Sequence, residues 1–257
     1  MITKLQVKYI QSLGQKKFRD SAGLFVAEGP KIVNELLASV PGSLETLYAT
    51  MPWLQKHPAL VKNIAADKVV EIKDHELERI SFLQTPNEVL AIFKKPPAPV
   101  PVFSNAVSLM LDGIQDPGNL GTIIRIADWF GISNVICSTD CADAFAPKTV
   151  QSTMGSIVRV QLLYTDLMEL VKKLHGIPLY AAALNGENIN LMQPLAEGIV
   201  VIGNESKGIH AALLDSCQHR ITIPRNGQAE SLNAAVAAGI ILSRLTPSPP
   251  APLHAVE

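Results

Sequence analysis

The sequence predicts an α/β protein in which a small mixed domain precedes a larger domain with a largely parallel sheet. Three observations support this prediction. Apolar runs of strand length alternate with segments of helical periodicity along most of the 257 residues. The runs in the second half are almost continuously apolar, which is typical of parallel strands covered on both faces. A proline-rich segment, residues 96–105, separates the two halves and predicts an extended linker.

The first domain, predicted for residues 1–95, is expected to be a small α/β sandwich. Its first helix is expected to break near Gly23, and a second helix begins at Pro30, because proline suits the first helical position. A third helix is predicted for residues 74–82. Strands are predicted for four apolar runs, at residues 24–29, 44–50, 68–72 and 88–94.

The second domain, predicted for residues 106–246, alternates more clearly. Strands are predicted at residues 107–114, 133–139, 157–164, 178–184, 198–204 and 220–224. Helices are predicted at residues 119–131, 165–176 and 231–245, and glycines close the first two, at Gly131 and Gly176. Residues 247–257 are rich in proline and predict a disordered tail.

Composition excludes several classes of protein. No run of about 18 apolar residues is present, so we expect no membrane span. The first 20 residues lack the apolar block of a signal peptide, so a cytoplasmic location is expected. The cysteines and histidines lack metal-ligand spacing, and no metal is expected; the cysteines are interpreted as reduced thiols, at Cys137, Cys141 and Cys217.

The charge of the chain is unevenly distributed. The net charge is −1, yet basic residues outnumber acidic ones near the N-terminus, with Lys16, Lys17 and Arg19 close together. Such a cluster is typical of a phosphate-binding surface, and it is also typical of an ordinary solvated helix face. The sequence alone leaves both interpretations open.

Two loops that follow predicted strands carry unusual polar residues. In the first, Asn119 is positioned to cap a helix, Gly121 permits close approach of another backbone or a ligand, and Arg125 falls in the second helical turn. The same residues also fit a plain cap and a surface charge. The second loop, residues 203–208, matches neither common nucleotide-binding fingerprint, and it is either a ligand-binding turn or an ordinary glycine-rich one.

A third loop precedes the last predicted helix. Ser231 and Asn233 stand directly before a run of small residues that includes Gly239, and small side chains predict that another chain segment lies close to this helix. Helix capping accounts for one of the two polar residues but not for both. Because ligands bind outside the carboxyl ends of parallel strands, the three loops are expected to meet at one site.

Together and in this order, the three loops resemble the SpoU (TrmH-type) branch of the SPOUT methyltransferases. The first family motif is matched by Asn119, Gly121 and Arg125, and the second by Gly203, Glu205 and Gly208. The third motif is matched by Ile223, Pro224, Gly227, Ser231, Leu232, Asn233 and Ala237. The resemblance covers about residues 107–245, and the first hundred residues are similar to the family's substrate-binding domain around Glu28 and Gly29.

The resemblance implies an enzyme that transfers a methyl group from S-adenosylmethionine to a ribose 2′-hydroxyl of RNA. Ribosomal RNA is the expected target, and transfer RNA is the next candidate. The sequence is also compatible with a catalytically silent RNA-binding protein or, less readily, a nucleotide-binding regulator. The resemblance further implies a C-terminal trefoil knot and a homodimer, which the apolar residues around helix 119–131 favour.

Roles for individual residues follow from the same resemblance. The expected catalytic residues are Asn119, Arg125, Glu205, Ser231 and Asn233. The expected cofactor-binding residues are Leu184, Asn185, Gly203, Asn204, Gly208, Ile223 and Leu232. Lys16, Lys17 and Arg19 are the expected RNA-binding residues. A guanidinium stays protonated, so Arg125 is expected to hold a phosphate and favour the alkoxide rather than act as a base.

Overall fold

The computed structural model describes residues 2–98 and 100–247, in which two sheets share one hydrophobic core. All but the first residue of the predicted tail, 247–257, lies outside the described residues. The proline-rich segment contains no helix or strand in its described part. Asn134 donates a hydrogen bond to the carbonyl of Val102, which attaches this segment to the second domain.

The first domain has a four-stranded sheet in the order β1-β4-β2-β3. Strands β1 to β4 are Leu24–Glu28, Leu44–Ala49, Val69–Glu71 and Val89–Lys94. Strand β4 is antiparallel to both of its neighbours, and β2 and β3 are parallel. The four predicted strands are confirmed in place.

The helices of the first domain differ more from the predictions. Helices α1 to α6 are Lys4–Ser12, Lys16–Ala22, Pro30–Ser39, Met51–Lys56, Pro58–Val61 and Asp74–Ile80. The single helix expected before Gly23 is two, because the chain turns at Gly14, where a Cβ would lie 2.7 Å from the Phe82 ring. Helices α4 and α5 were not predicted. Both are short and have a proline in the first turn, so their sequences resemble those of loops.

Glu28 and Gly29 fix the end of β1. The buried Glu28 carboxylate accepts hydrogen bonds from the hydroxyl of Ser81 and from the backbone N–H of Phe82 at 3.0 Å. Burial raises the pKa of Glu28, and these two hydrogen bonds partly oppose the shift. Gly29 has a φ of +88°, which favours glycine. This part of the sequence resemblance therefore corresponds to a structural anchor.

The second domain has a six-stranded sheet in which every neighbouring pair is parallel. Its order is β10-β8-β9-β5-β6-β7. Strands β5 to β10 are Val107–Asp112, Asn134–Cys137, Gln161–Tyr164, Leu179–Asn188, Gly198–Gly203 and His219–Thr222. The predicted parallel sheet is confirmed; β7 is shorter than expected because residues 156–158 form a 3-10 turn.

Five helices cover the two faces of this sheet. Helices α7 to α11 are Pro117–Trp129, Pro147–Thr153, Leu167–Val171, Ala211–Ser216 and Ala234–Leu245. Residues of α7, α8 and α11 belong to the core shared with the first domain, whereas α9 and α10 pack on the opposite face. A Cβ on Gly121 would lie 2.5 Å from the Cβ of Ser152, so Gly121 allows α8 to lie against α7. The close approach predicted at Gly121 is made by protein backbone.

Two segments of the second domain cross closely. The pairing of β10 with β8 shifts register between two consecutive residues. Arg220 pairs with Ala181, whereas Ile221 pairs with Glu187. A Cβ on Gly186 would lie 2.5 Å from the carbonyl carbon of Arg220, so only glycine fits there. This crossing is compatible with a knotted C-terminal part, and the trefoil knot itself stays a prediction.

The two domains meet at α2 and the loop after β6. Arg19 is 2% exposed and donates hydrogen bonds to the carbonyl of Leu13 and, at 2.5 Å, to Asp143. Phe25 packs against Phe145 nearby, with ring centroids 5.2 Å apart. The structure contradicts the prediction that Arg19 contacts RNA: its guanidinium is buried in an ion pair between the domains.

None of the helices in residues 2–98 and 100–247 is both long and apolar enough to cross a membrane. The same residues contain no group of three or more potential metal ligands, and the three cysteines are free thiols.

The Arg19–Asp143 pair makes a testable contribution to stability. We expect Arg19→Ala to lower the free energy of unfolding by about 3–5 kcal/mol, because it leaves a largely buried carboxylate without its partner. Lys17→Ala, an exposed neighbour on the same helix, should change it by less than about 0.5 kcal/mol. Urea denaturation of both variants measures the difference, and equal midpoints would contradict the role assigned to Arg19.

Candidate functional site

Three loops meet at the carboxyl edge of the parallel sheet. From β5 the chain continues to β6 and β7 on one side, whereas β9, β8 and β10 lie on the other side. The loops after β5 and β9 therefore leave adjacent strands at the point where the strand order reverses. A crevice at such a point is the usual ligand site of an open α/β sheet. The segment between β10 and α11 supplies the third loop.

A chain of side-chain hydrogen bonds links the three loops. Asn119, in the first turn of α7 directly after the loop that follows β5, donates to the Glu205 carboxylate at 2.5 Å, and Glu205 belongs to the loop after β9. Asn233, which precedes α11, donates to the side-chain oxygen of Asn119 at 2.9 Å. We call these three residues the amide relay. Residues far apart in the sequence thus form one polar cluster, and the structure brings together three of the five predicted catalytic residues.

Helix capping leaves Asn119 free for this role. Asp116 caps α7 by accepting the backbone N–H of Asn119 at 2.9 Å, and this hydrogen bond lowers the pKa of Asp116. The expectation that Asn119 is the cap was therefore wrong by three residues. The order Asp116-Pro117, a capping residue before a proline at the first helical position, carried the signal.

Asn233 combines both functions at α11. Its side-chain oxygen accepts the backbone N–H groups of Ala235 at 3.0 Å and Val236 at 3.3 Å, while its side-chain nitrogen donates to Asn119. One residue thus caps the helix and joins the relay. Ser231 is not the cap and lines the neighbouring cavity, which explains why two polar residues precede this helix.

The loop after β9 is a tight turn with little room for change. Asn204 and Gly208 exchange two backbone hydrogen bonds, and the Asn204 side chain donates to the carbonyl of Gly113 at 2.8 Å. A Cβ on Gly203 would overlap the backbone of Gly208 and Ile209. A larger residue at Gly203 would thus disturb the loop itself. Asn204, predicted to bind the cofactor, also ties this loop to the one after β5.

A cavity of about 950 Å³ opens beside the amide relay. All seven predicted cofactor-binding residues line it, together with two of the predicted catalytic residues: Leu184, Asn185, Gly203, Asn204, Glu205, Gly208, Ile223, Ser231 and Leu232. Helix α11 contributes Ala234, Ala237 and Ile241 to the wall. The small residues of this helix thus serve two purposes. Ala234 and Ala237 leave space for the cavity, and the fully buried Ala238 packs in the core.

The cavity fits the chemistry of S-adenosylmethionine. Its volume lies in the range of about 300–1,000 Å³ that small-molecule sites occupy. Ala182, Ile202 and Ala237 provide apolar wall for a heterocyclic ring. Glu230 and Arg225 bring charges of both signs, as a zwitterionic amino-acid group requires. Sequence reasoning missed these two residues, because the loop that carries them, residues 224–233, contains no helix or strand to indicate where their side chains lie.

Arg125 lies outside the cavity lining. It is exposed on α7, six residues after Asn119 and therefore about 9 Å further along the helix axis. Within residues 2–98 and 100–247, the Arg125 side chain makes no ion pair and no hydrogen bond, although its backbone belongs to α7. The structure therefore leaves its guanidinium free for an external anionic partner. Lys16 and Lys17 are also exposed, on α2 of the first domain.

The chain matches two known protein-family models. Residues 106–243 match the SpoU rRNA Methylase family, and residues 4–91 match the MRM3-like substrate binding domain. The two matched regions are separated by the proline-rich segment.

Several known proteins are similar to this chain along almost its whole length. A 23S rRNA (guanosine(2553)-2′-O)-methyltransferase of Bacillus subtilis, RlmP, is 33% identical, over 93% of this chain and 95% of the relative. A solved structure of a TrmH-family protein from Porphyromonas gingivalis has a TM-score of 0.83 and 35% identity, over 96% of this chain and 98% of that one. The AdoMet-bound rRNA methyltransferase of Sinorhizobium meliloti has a TM-score of 0.80 and 30% identity, covering 95% of both chains.

Proposed function

This chain belongs to the SpoU rRNA methylase family, and we propose that it methylates a ribose 2′-hydroxyl of ribosomal RNA. It is an RNA methyltransferase that uses S-adenosylmethionine. The observation that supports the proposal most directly is the position of Glu205, which lines the cavity and accepts the hydrogen bond of Asn119. Cofactor cavity and polar relay are thus contiguous, as methyl transfer to a hydroxyl requires.

The cavity residues are assigned to cofactor binding. S-adenosylmethionine supplies an electrophilic methyl group on a sulfonium. The loop backbone around Gly203, Gly208, Ile223 and Leu232 would hold it, with Leu184 and Asn185 on the facing strand. The Glu205 carboxylate favours a positive charge nearby, which suits a sulfonium.

The polar residues are assigned to the ribose. A protonated hydroxyl is a poor nucleophile and must be activated. Asn119, Asn233 and Ser231 would orient it, and Glu205 holds Asn119 in place. Arg125 would bind a phosphate beside the target ribose and stabilise the alkoxide, since its guanidinium stays charged and has no partner among the described residues.

A ribosomal target is favoured by the relatives. RlmP of Bacillus subtilis and the 27% identical enzyme of Streptomyces viridochromogenes are both named 23S rRNA 2′-O-methyltransferases. The first domain would bind the RNA, with Lys16 and Lys17 as exposed phosphate contacts. A catalytically silent protein would not need to retain Asn119, Arg125 and Glu205. We also propose a cytoplasmic location, as the sequence predicts; a ribosomal target alone does not decide it, because similar proteins are named mitochondrial rRNA methyltransferases.

The proposed activity can be tested with labelled S-adenosylmethionine and naked ribosomal or transfer RNA. We expect label in a ribose of ribosomal RNA, and at least a hundredfold lower turnover for Arg125→Ala, because removing one charge-stabilising donor costs about 10²–10³ in rate. Arg125→Lys keeps the positive charge but loses the planar guanidinium, so its turnover should lie between those of the wild type and Arg125→Ala.

Cofactor affinity, measured by calorimetry, is the control in this experiment. It should be the same in all three proteins, because Arg125 does not line the cavity. Label in transfer RNA alone would overturn the ribosomal target. Near-normal turnover of Arg125→Ala would overturn the role of the arginine.

We also propose a homodimer through α7 and α11, which pack against each other. Two of the apolar α7 residues that favoured a dimer, Ile123 and Ile124, are buried within this chain and need no partner. Trp129, however, is 84% exposed, and Val236 and Ile240 on α11 are also exposed. A large exposed aromatic residue on one of two packed helices, with exposed apolar side chains on the other, is typical of an interface.

We expect Trp129→Glu to convert the dimer into a monomer, because it would place a charge in an apolar interface. Sedimentation velocity measures the change. Met51→Glu, at an exposed apolar residue of α4 in the first domain, is the matched control and should remain dimeric. A wild-type monomer at micromolar concentration would contradict the proposal.

A further inference from the structure

Helix α1 presents an exposed face with an unusual combination of side chains. Lys4 and Lys8 lie one turn apart, and Leu5 and Tyr9 form a parallel row beside them. Leu5 is 77% and Tyr9 46% exposed, whereas Ile10 and Leu13 on the other side are fully buried. We call Lys4, Leu5, Lys8 and Tyr9 the α1 face.

The charges of the α1 face are not neutralised within the protein. Helix α1 contains no acidic residue, and no ion pair among the described residues involves Lys4 or Lys8. Two lysines beside an exposed aromatic ring suit a partner that combines negative charge with a flat apolar group. A nucleotide of single-stranded RNA offers both, because its unpaired base can turn out and stack on an aromatic side chain.

The α1 face is also held rigidly. Thr3 and Gln6 form a capping box at the start of the helix. Near its end, the Gln11 side chain donates to the carbonyls of Arg79 at 3.1 Å and Ser81 at 3.3 Å. An aromatic residue on an anchored helix loses little backbone freedom when a base stacks on it.

The neighbouring helix connects this region to the catalytic edge. Lys16 of α2 lies 5.8 Å from the ring of Tyr164, which ends β7 at the carboxyl edge of the parallel sheet. Arg19 fixes α2 to the loop after β6 at the same edge. RNA that contacts both α1 and α2 would therefore lie at the carboxyl edge of this sheet on the side of β7, whereas the cofactor cavity lies further along the same edge at β9, β8 and β10.

We propose that the α1 face binds an unpaired segment of the RNA substrate, with a base stacked on Tyr9 and phosphates paired with Lys4 and Lys8. The proposal rests on the RNA methyltransferase function and deepens it, because it names the kind of RNA structure that the first domain recognises. Anionic membranes and acidic proteins, which also bind basic apolar surfaces, are the competing partners.

The test measures binding of the full chain to two labelled probes by fluorescence anisotropy. The probes are a short oligouridylate, which is single-stranded, and a fully paired RNA duplex of the same length. Tyr9→Ala should weaken oligouridylate binding about 5- to 150-fold, the effect expected for one stacked base. Duplex binding should be unchanged, and Tyr9→Phe should restore oligouridylate binding. Met51→Ala, another exposed apolar position of the first domain, should bind both probes like wild type.

The salt dependence tests the two lysines. The double variant Lys4→Gln, Lys8→Gln should flatten the plot of log affinity against log salt by roughly 0.7 for each lost phosphate contact. Wild-type affinity of Tyr9→Ala for oligouridylate, or an equal loss for both probes, would overturn the proposal. Binding to vesicles that contain anionic lipid, with none to oligouridylate, would also overturn it.

Methyl transfer is measured separately in these experiments. Tyr9→Ala should bind S-adenosylmethionine with wild-type affinity. Failure of the wild-type protein to methylate ribosomal RNA would refute the proposed function. Unchanged oligouridylate binding by Tyr9→Ala would refute only the RNA-binding role of the α1 face.

Discussion

The amide relay from Glu205 through Asn119 to Asn233 is the interaction on which the site depends. Each of its two hydrogen bonds joins loops that come from distant parts of the chain. The relay is possible only because other residues perform the local tasks: Asp116 caps α7, and Asn204 closes the loop after β9. Contacts within the protein thereby hold the three loops beside one cavity. Such preorganisation lowers the reorganisation that methyl transfer would otherwise require.

Packing around the relay explains the composition of the helices that carry it. Gly121 lets α8 approach α7, and the alanines of α11 serve both the core and the cavity wall. The first domain adds to this packing through Arg19 and Phe25, which contact the loop after β6. A further ion pair joins Glu35 of α3 to Arg159, which also binds Asp128 on α7. The domain proposed to bind RNA is thus attached to the helix that carries Arg125.

The sequence predicted those features that depend on local patterns. The ten strands of the described residues followed from apolar runs, and the three loops followed from polar residues at strand ends. Long-range partners could not be predicted in this way. Arg19 looked like a member of a basic cluster, since its partner Asp143 is 124 positions away and a helix of seven residues shows no clear buried face. Likewise, the order of residues in the motif does not show that the Arg125 side chain lies outside the cavity that the other loops line.

The central claim, that the relay acts as one unit, is tested most directly by a double-mutant cycle on methyl transfer. Asn233→Ser keeps a capping residue at the start of α11 but shortens the side chain that reaches Asn119. Asn119→Ala removes the other half of the relay. If the relay is one unit, the kcat/KM of the double variant will be close to that of the more damaged single variant, a coupling of about 0.5–3 kcal/mol. Losses that simply add would show that the two asparagines act independently and would contradict this account.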